Sequence, residues 1–372
     1  MKNVIGICNL HDCPHLGPLT QNRPLGTVTF LGRYALMDGA LSNFTNSQID
    51  KIYLLAKNNV NAVLNHVTDG HIWINNTKTG YLRILHNENA IQNYRFNTDV
   101  GNIISNLQVF DDRDIDYIIV TNPFLLAAMD FRKLVEAHRA SGVDVTMVYS
   151  HINYADKEYL NCDKLTMDRD GKVIDVNENT GKEEDANISL ETYIFTREAF
   201  HKILDSSKDI SQLFSLRRLL NYMIKNQSLS INGQLYGKTV VPILSLDHYI
   251  KCSFKLLNAS QRENIFTMDW PVYTTTHNTP PATYGPKSRV KNSFIANGCI
   301  IKGTVENCVI SRDVVVEEGA VVKNSILFTA TEVGKKVKLN YVLTDKQAKC
   351  VEEKDLSGKE DGFFFVHYGE RV

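Results

Sequence analysis

At 372 residues the chain is longer than one hydrophobic core usually sustains, so two domains are expected. Lys and Arg total 41 against 42 Asp and Glu, a formal charge of −1, which gives no bulk field for nucleic acid or an anionic membrane surface. Hydrophobic residues make up 43% and charged residues 22%, the balance of a soluble globular protein, and no apolar run approaches the roughly 18 residues a membrane span needs.

The chain starts with an apolar run, Val4-Ile5-Gly6-Ile7, that stops at a polar turn, "CNLHDCPHLG". Nucleotide-binding α/β domains often start this way, but with glycines that let backbone N–H groups approach phosphates. Here the turn carries Cys8, His11, Cys13 and His15 instead. All four can bind zinc, yet structural zinc sites take ligand pairs from separated segments, and no second pair lies nearby. A loop with incidental cysteines is the expectation. The seven cysteines are an odd, scattered set with no apparent secretion signal, which predicts reduced thiols and a cytoplasmic location.

Residues 51–56, 116–121 and 143–150 read as buried strands. Between the last two, helical spacing at Leu126, Met129, Leu134 and Val135 predicts a helix ending at Gly142. Strand–helix alternation over residues 1–245 predicts an α/β domain with a mainly parallel sheet. Residues 247–264 read as a helix, and the proline-rich stretch 274–289 reads as extended linker.

The pattern then changes. Val309, Val315, Val321, Leu327, Val333 and Leu339 recur every six residues, with Cys308, Val314, Ala320 and Ile326 alongside. A period of six predicts the coils of a hexapeptide β-helix with these side chains in its shaft; a β-meander with chance spacing is the alternative. The domain expectation is 1–245 for the α/β unit, 246–288 for helix and linker, 289–345 for the β-helix and 346–372 for a tail.

Residues 16–67 carry G-x-L-T-x-x-R at 17–23 and R-Y-x-x-x-D-x-x-L-S-N-x-x-N-S at 33–47. This frame resembles the ADP-glucose pyrophosphorylase (glucose-1-phosphate adenylyltransferase) family, and the resemblance covers essentially the whole chain. It implies a nucleotide-diphospho-sugar-transferase domain, Rossmann-like, followed by a left-handed parallel β-helix. The implied reaction is attack of glucose-1-phosphate on the α-phosphate of ATP, which needs a phosphate cradle, Arg/Lys and carboxylate-held Mg²⁺.

Position by position, those groups are missing. The family's phosphate loop, G-G-x-G-T-R-L, falls on Leu10, His11, Asp12, Cys13, Pro14, His15 and Leu16. The lysine after it becomes Leu25 and the sugar-phosphate lysine becomes Asn179; the adenine-reading glutamine is lost within residues 56–58. The two metal aspartates fall on Phe124 and Ile243. Glu178 and Ser189 remain as candidate sugar-phosphate contacts, while the glycine two residues past Ser189 becomes Glu191. Arg33, Arg289 and Lys291 are the candidate contacts for the family's sugar-phosphate effectors, with ordinary surface charge as the alternative.

This pattern of losses resembles the non-catalytic GlgD-type regulatory subunit of Gram-positive bacteria. It implies a silent modulatory chain in glycogen synthesis that binds the catalytic subunit in a hetero-oligomer, expected as a tetramer, with self-association open. No metal and no cofactor are expected. Mg²⁺ belongs only to the alternative, an active nucleotidyltransferase with relocated carboxylates at Asp12, Asp38 or Asp99. A hexapeptide acyltransferase needs a histidine beside the coils, and residues 290–345 contain none.

Overall fold

The computed structural model describes residues 1, 3–87, 97–211 and 213–372. Nine strands form the central sheet, and its spine runs Val173–Glu178, Asp163–Met167, Ala186–Thr196, Tyr117–Thr121, Val4–Asn9, Lys51–Ala56, Tyr81–His86. Val4–Asn9 pairs in parallel with both of its neighbours, and its burial on both faces explains the unbroken apolar run. Ala186–Thr196 runs antiparallel to Tyr117–Thr121 and also carries Val145–Ile152, which pairs with Ile231–Leu235. One face of the sheet buries Ile103, Phe200, Leu204 and Leu219 from three helices, and the other buries Phe44, Phe131 and Tyr249.

The expected helix after Thr121 starts later than its spacing suggested. Asn122 Oδ1 accepts the N–H groups of Phe124 and Leu125 at 3.0 and 2.9 Å, and Leu125–Leu126 pairs with Val241–Pro242. Asp130 caps the helix Phe131–Ser141, which ends on Gly142 at φ +64°. Helix 247–264 is also broken: Leu246–Lys255 ends, Asn258 caps Ala259–Arg262, and Arg262 donates to the carbonyls of Leu256 and Leu257 at 3.0 and 3.2 Å.

Three parallel five-stranded sheets form the β-helix, and their pairings extend from Thr283 to Val366, beyond 289–345 on both sides. Most coils advance 17 residues, as Val316 over Val333 over Cys350 and Ile310 over Leu327 over Thr344 show. Steps of six, six and five therefore replace the regular six. The shaft holds Ile310, Val316, Val322, Leu327, Val333 and Leu339. Val315 and Val321 are partly exposed instead, while Val309 and Ile326 face the α/β domain and join its core with Phe328 and Leu343. At one corner Asn292, Asn307 and Asn324 hold left-handed backbone (φ +44°, +54°, +46°), and their amides bond in a ladder ending on Asn340.

The two units are docked by specific contacts. Tyr249 donates to the carbonyl of Thr29 at 2.5 Å and meets Phe328 edge-on. At Gly32 (φ +72°) the turn between Thr29–Phe30 and Tyr34–Ala35 approaches the β-helix so closely that a Cβ would lie 2.7 Å from the Ile310 carbonyl oxygen. Among the described residues no helix is long and apolar enough to cross a membrane. All seven cysteines are free thiols.

Candidate functional site

The strand Val4–Asn9 delivers the opening loop to the carboxyl-end edge of the sheet, where the central parallel strands finish. Asn9 Oδ1 accepts the His11 N–H at 3.0 Å, and Leu10 N–H bonds the Leu55 carbonyl at 3.0 Å. Leu10 and His11 are thereby folded inward and buried. Asp12 turns outward at φ +47°, Cys13 and Pro14 are half-buried, and His15 is exposed. The four metal-capable side chains do not converge. Cys8 lies in the core, His11 Nε2 meets the Asn102 amide at 3.1 Å, Cys13 Sγ faces the Asn9 carbonyl, and His15 Nδ1 meets Thr20 Oγ1 at 2.9 Å. Burial, helped by Lys57, holds the His11 pKa down at about 4, so the ring is neutral. Burial pushes the Cys8 and Cys13 thiols up, away from the thiolate a metal requires.

Leu10, Leu25, Phe124 and Ile243 all belong to the hydrophobic core. The two residues that the resemblance puts at the metal positions meet in space: the Ile243 N–H bonds the Phe124 carbonyl at 2.8 Å beside the Leu125–Leu126 and Val241–Pro242 pair. If that correspondence holds, an aromatic ring and a branched aliphatic chain stand in the core where two carboxylates would face one cation. These residues do not fit Mg²⁺.

Asn179 is buried and works as a loop fastener. Its Nδ2 donates to the carbonyls of Ala155 and Tyr159 at 2.8 and 3.0 Å, and its Oδ1 accepts the Gly181 N–H at 3.1 Å. The two candidate sugar-phosphate contacts are not brought together. Glu178 is exposed at a strand end, whereas Ser189 is fully buried and accepts the Glu191 N–H at 3.2 Å.

An ion cluster that sequence reasoning missed occupies this edge. Arg217 holds Asp163 with two bonds, 2.7 Å from Nε and 2.6 Å from Nη2, and reaches Glu191 at 3.2 Å from Nη1. Glu191 stands at φ +47° beside a register shift in its strand, in backbone that favours the glycine the resemblance placed there. Burial raises its pKa to about 7 against the opposing pull of Arg217. That substitution for glycine was the one signal available in the sequence.

The three carboxylates named in the relocated-carboxylate alternative, Asp99, Asp38 and Asp12, each make other contacts in the structure. Asp99 accepts the Val100 and Leu216 N–H groups and the Asn9 amide at 2.8–3.0 Å, tying two helices to the opening loop; burial pushes its pKa up to about 6. Asp38 is fully buried between the Ala35 N–H at 2.8 Å and His66 Nε2 at 2.6 Å. Asp12 faces Lys57 at 3.8 Å.

A second cleft lies between the α/β unit and the β-helix. It has a volume of about 520 Å³ and is walled by Arg23, Arg33, Arg312, Lys346 and His277, with Asp313 the carboxylate on its rim. Burial, then Arg33, pushes the Arg312 pKa down; burial, then Arg23 and Arg312, pushes Lys346 down. His277 is lowered in the same way, by burial and then by Arg312. Of the expected effector contacts only Arg33 is here. Arg289 and Lys291 sit exposed on a strand of the first coil, with Lys291 3.7 Å from Glu306. Arg312, Lys346 and His277 come from segments read only as coil, tail and linker, so nothing in the sequence joined them to Arg33.

A family model described as nucleotidyl transferase matches residues 14–234. The chain belongs to the nucleotidyl transferase family. A second model, described as GlmU-like C-terminal hexapeptide, matches residues 280–360, in line with the coil pairings. Within this family the chain is 29% identical over 344 residues to the glucose-1-phosphate adenylyltransferase of Fervidobacterium nodosum, covering 91% of this chain and 81% of that protein. It is 27% identical over 347 residues to the one of Corynebacterium glutamicum, covering 86% and 83%. It is 25% identical over 360 residues to the glycogen biosynthesis protein GlgD of Bacillus subtilis, covering 96% and 93%. The resemblance read from residues 16–67 is therefore borne out, as is the pairing of a nucleotidyltransferase domain with hexapeptide coils.

Proposed function

We propose that the chain is a catalytically silent modulatory subunit of a glucose-1-phosphate adenylyltransferase in glycogen synthesis, acting from the cytoplasm by association with the catalytic subunit. The observation that carries the silent part is the core contact of Phe124 with Ile243, where adenylyl transfer needs paired carboxylates on Mg²⁺. Leu10 and Leu25 in the core, and Asn179 spent on backbone carbonyls, remove the anion cradle and both lysines as well. A site lacking the glycine cradle, both lysines and the paired carboxylates does not lower the phosphoryl-transfer barrier usefully.

The modulatory part draws on the inter-domain cleft, whose cations are held close together and destabilised by burial and one another. An anion entering there relieves both penalties, so a phosphate-bearing effector is the ligand class that fits. Co-expression tests the association: the two chains are expected to co-purify as one hetero-oligomer, and elution as separate species at micromolar concentration contradicts it. Calorimetric titration with Mg²⁺ is expected to show no strong site on this chain.

A further inference from the structure

The amino ends of the parallel strands, opposite the opening loop, border a groove of about 1020 Å³. Asn3 lies just before Val4–Asn9, Asp50 before Lys51–Ala56 and Asp116 before Tyr117–Thr121, and all three line it. Their backbones are held in place: the Asp50 carbonyl accepts the Tyr81 N–H at 2.7 Å, and the Asn3 carbonyl accepts the Asp116 N–H at 2.9 Å. Open α/β sheets keep their usual ligand sites at the carboxyl ends of the strands. This groove lies at the other end and shares no lining residue with the opening loop or the inter-domain cleft.

Its polar groups are sorted by what they offer. Asn46 Nδ2 donates to the Pro271 carbonyl at 2.9 Å, Asn75 Nδ2 to the Thr45 carbonyl at 2.7 Å, and Asn3 Nδ2 to Asp116 Oδ2 at 2.9 Å. Each amide oxygen is left without a partner among the described residues. Asp50 accepts the Asn75 N–H at 2.8 Å on one oxygen and keeps the other, Asp116 likewise keeps one, and Asp114 keeps both. The wall is thus rich in hydrogen-bond acceptors. Its charges nearly balance, Asp50, Asp114 and Asp116 against Lys51 and Arg113, and Arg113 is exposed with no ion pair among the described residues. No three acidic, histidine or cysteine side chains converge as a metal site needs, again among the described residues. Tyr273, half-buried against the core and fixed by its N–H to Ser42 Oγ at 2.8 Å, adds an aromatic face.

Acceptors in excess, little net charge and an aromatic face match a ligand that carries many O–H donors and no charge of its own. The groove is open, with Asn75, Asn76, Thr79 and Asp114 exposed, which suits a chain laid across it better than an enclosed small molecule. We propose that this groove binds a neutral oligosaccharide: a sugar ring packs on Tyr273, its hydroxyls donate to the oxygens of Asn46, Asn75 and Asp50, and Arg113 donates to a sugar oxygen. Such binding uses none of the groups lost from the opening loop. It goes beyond the silent-subunit reading, and its failure leaves that reading as it stands.

The test is calorimetric titration of the full chain with maltoheptaose and with cellopentaose, an α-linked and a β-linked glucan. Saturable binding of at least one is expected, with a Kd of about 1 mM or below. Because the ligand is uncharged, that Kd should change less than about twofold when salt is raised tenfold. The double variant Arg113→Ala, Asp114→Ala removes two exposed side chains with no partners to strand, so it should fold like the parent and bind about tenfold more weakly. Tyr273→Leu keeps an apolar side chain against the core and loses the ring, with a similar weakening expected. No binding of either glucan overturns the proposal. Glucan binding left unchanged by both variants overturns the placement in this groove. Salt-sensitive binding of spermidine that the double variant weakens, with no glucan bound, shows a cation site instead and also overturns it.

Discussion

The sheet edge under the opening loop and the cleft between the two units are both rich in charge, and they treat it oppositely. At the sheet edge the charged groups are largely matched within the chain: Asp99 has three N–H donors, Asn179 two short carbonyl bonds, and Arg217 two carboxylates, while His11 Nδ1 and the Tyr193 hydroxyl are buried without partners. In the cleft, Arg33, Arg312 and Lys346 stand near one another with burial working against them. A site that binds no ligand can be stabilised by completing its own hydrogen bonds, whereas one that awaits an anion keeps an excess of cations. On that ground the site proposed as silent and the one proposed to take an anion differ in how their charges are matched.

The largest effect should come from placing a carboxylate where the resemblance implies a metal aspartate. Ile243→Asp places a charge in a fully buried position beside Phe124, at a cost of more than about 4 kcal/mol. The variant is expected to be insoluble or to unfold early in urea; a stable, Mg²⁺-binding Ile243→Asp protein would break the comparison. Next, Arg217→Met leaves Asp163 and Glu191 near each other without their cation, expected to cost about 2–4 kcal/mol by urea denaturation at neutral pH.

A pH series sharpens the point. With its pKa raised to about 7, folded Glu191 keeps a proton between roughly pH 4.5 and 7 that the unfolded chain has already lost. The native state therefore loses stability as pH rises through that window. Glu191→Gln removes this slope, so the variant should gain on the parent by about 2 kcal/mol between pH 5 and 8. His11 acts in the opposite sense over about pH 4 to 6.5 and is common to both proteins, so it cancels in the difference.

The smallest effect is the most telling in sign. Lys346→Met removes one cation from the crowded cleft and is expected to raise stability by about 0.5 kcal/mol at low salt, less at high salt, while weakening phosphate binding. A loss of 2 kcal/mol or more would show that the cleft is self-satisfied like the sheet edge.

Much of this was legible in residue patterns, for physical reasons. Strands buried on both faces, such as Val4–Asn9 and Lys51–Ala56, must be continuously apolar, and the coil repeat must place an aliphatic residue at each inward step. The repeat misled where one coil side has five residues. Val315 and Val321 fit a step of six, yet Val316 and Val322 occupy the shaft, because adjacent valines leave the inward register ambiguous. Helix limits at Asn122 and Asp130 depended on side-chain capping that periodicity does not report. The losses at Leu10, Leu25, Phe124 and Ile243 were readable one by one, but their meeting in one core was not. The Asp163–Glu191–Arg217 cluster and the Arg23–Asp345 bridge join residues up to 322 positions apart, which only the folded chain brings together.

The most direct test of the central claim is an adenylyl-transfer assay with ATP, glucose-1-phosphate and Mg²⁺. The chain is assayed alone, and then titrated into the catalytic subunit proposed as its partner. The chain alone should form no ADP-glucose above the blank, while its addition shifts the partner's apparent substrate affinity or its response to phosphate-bearing effectors. Turnover by the isolated chain at a rate like that of the catalytic subunit would contradict the account.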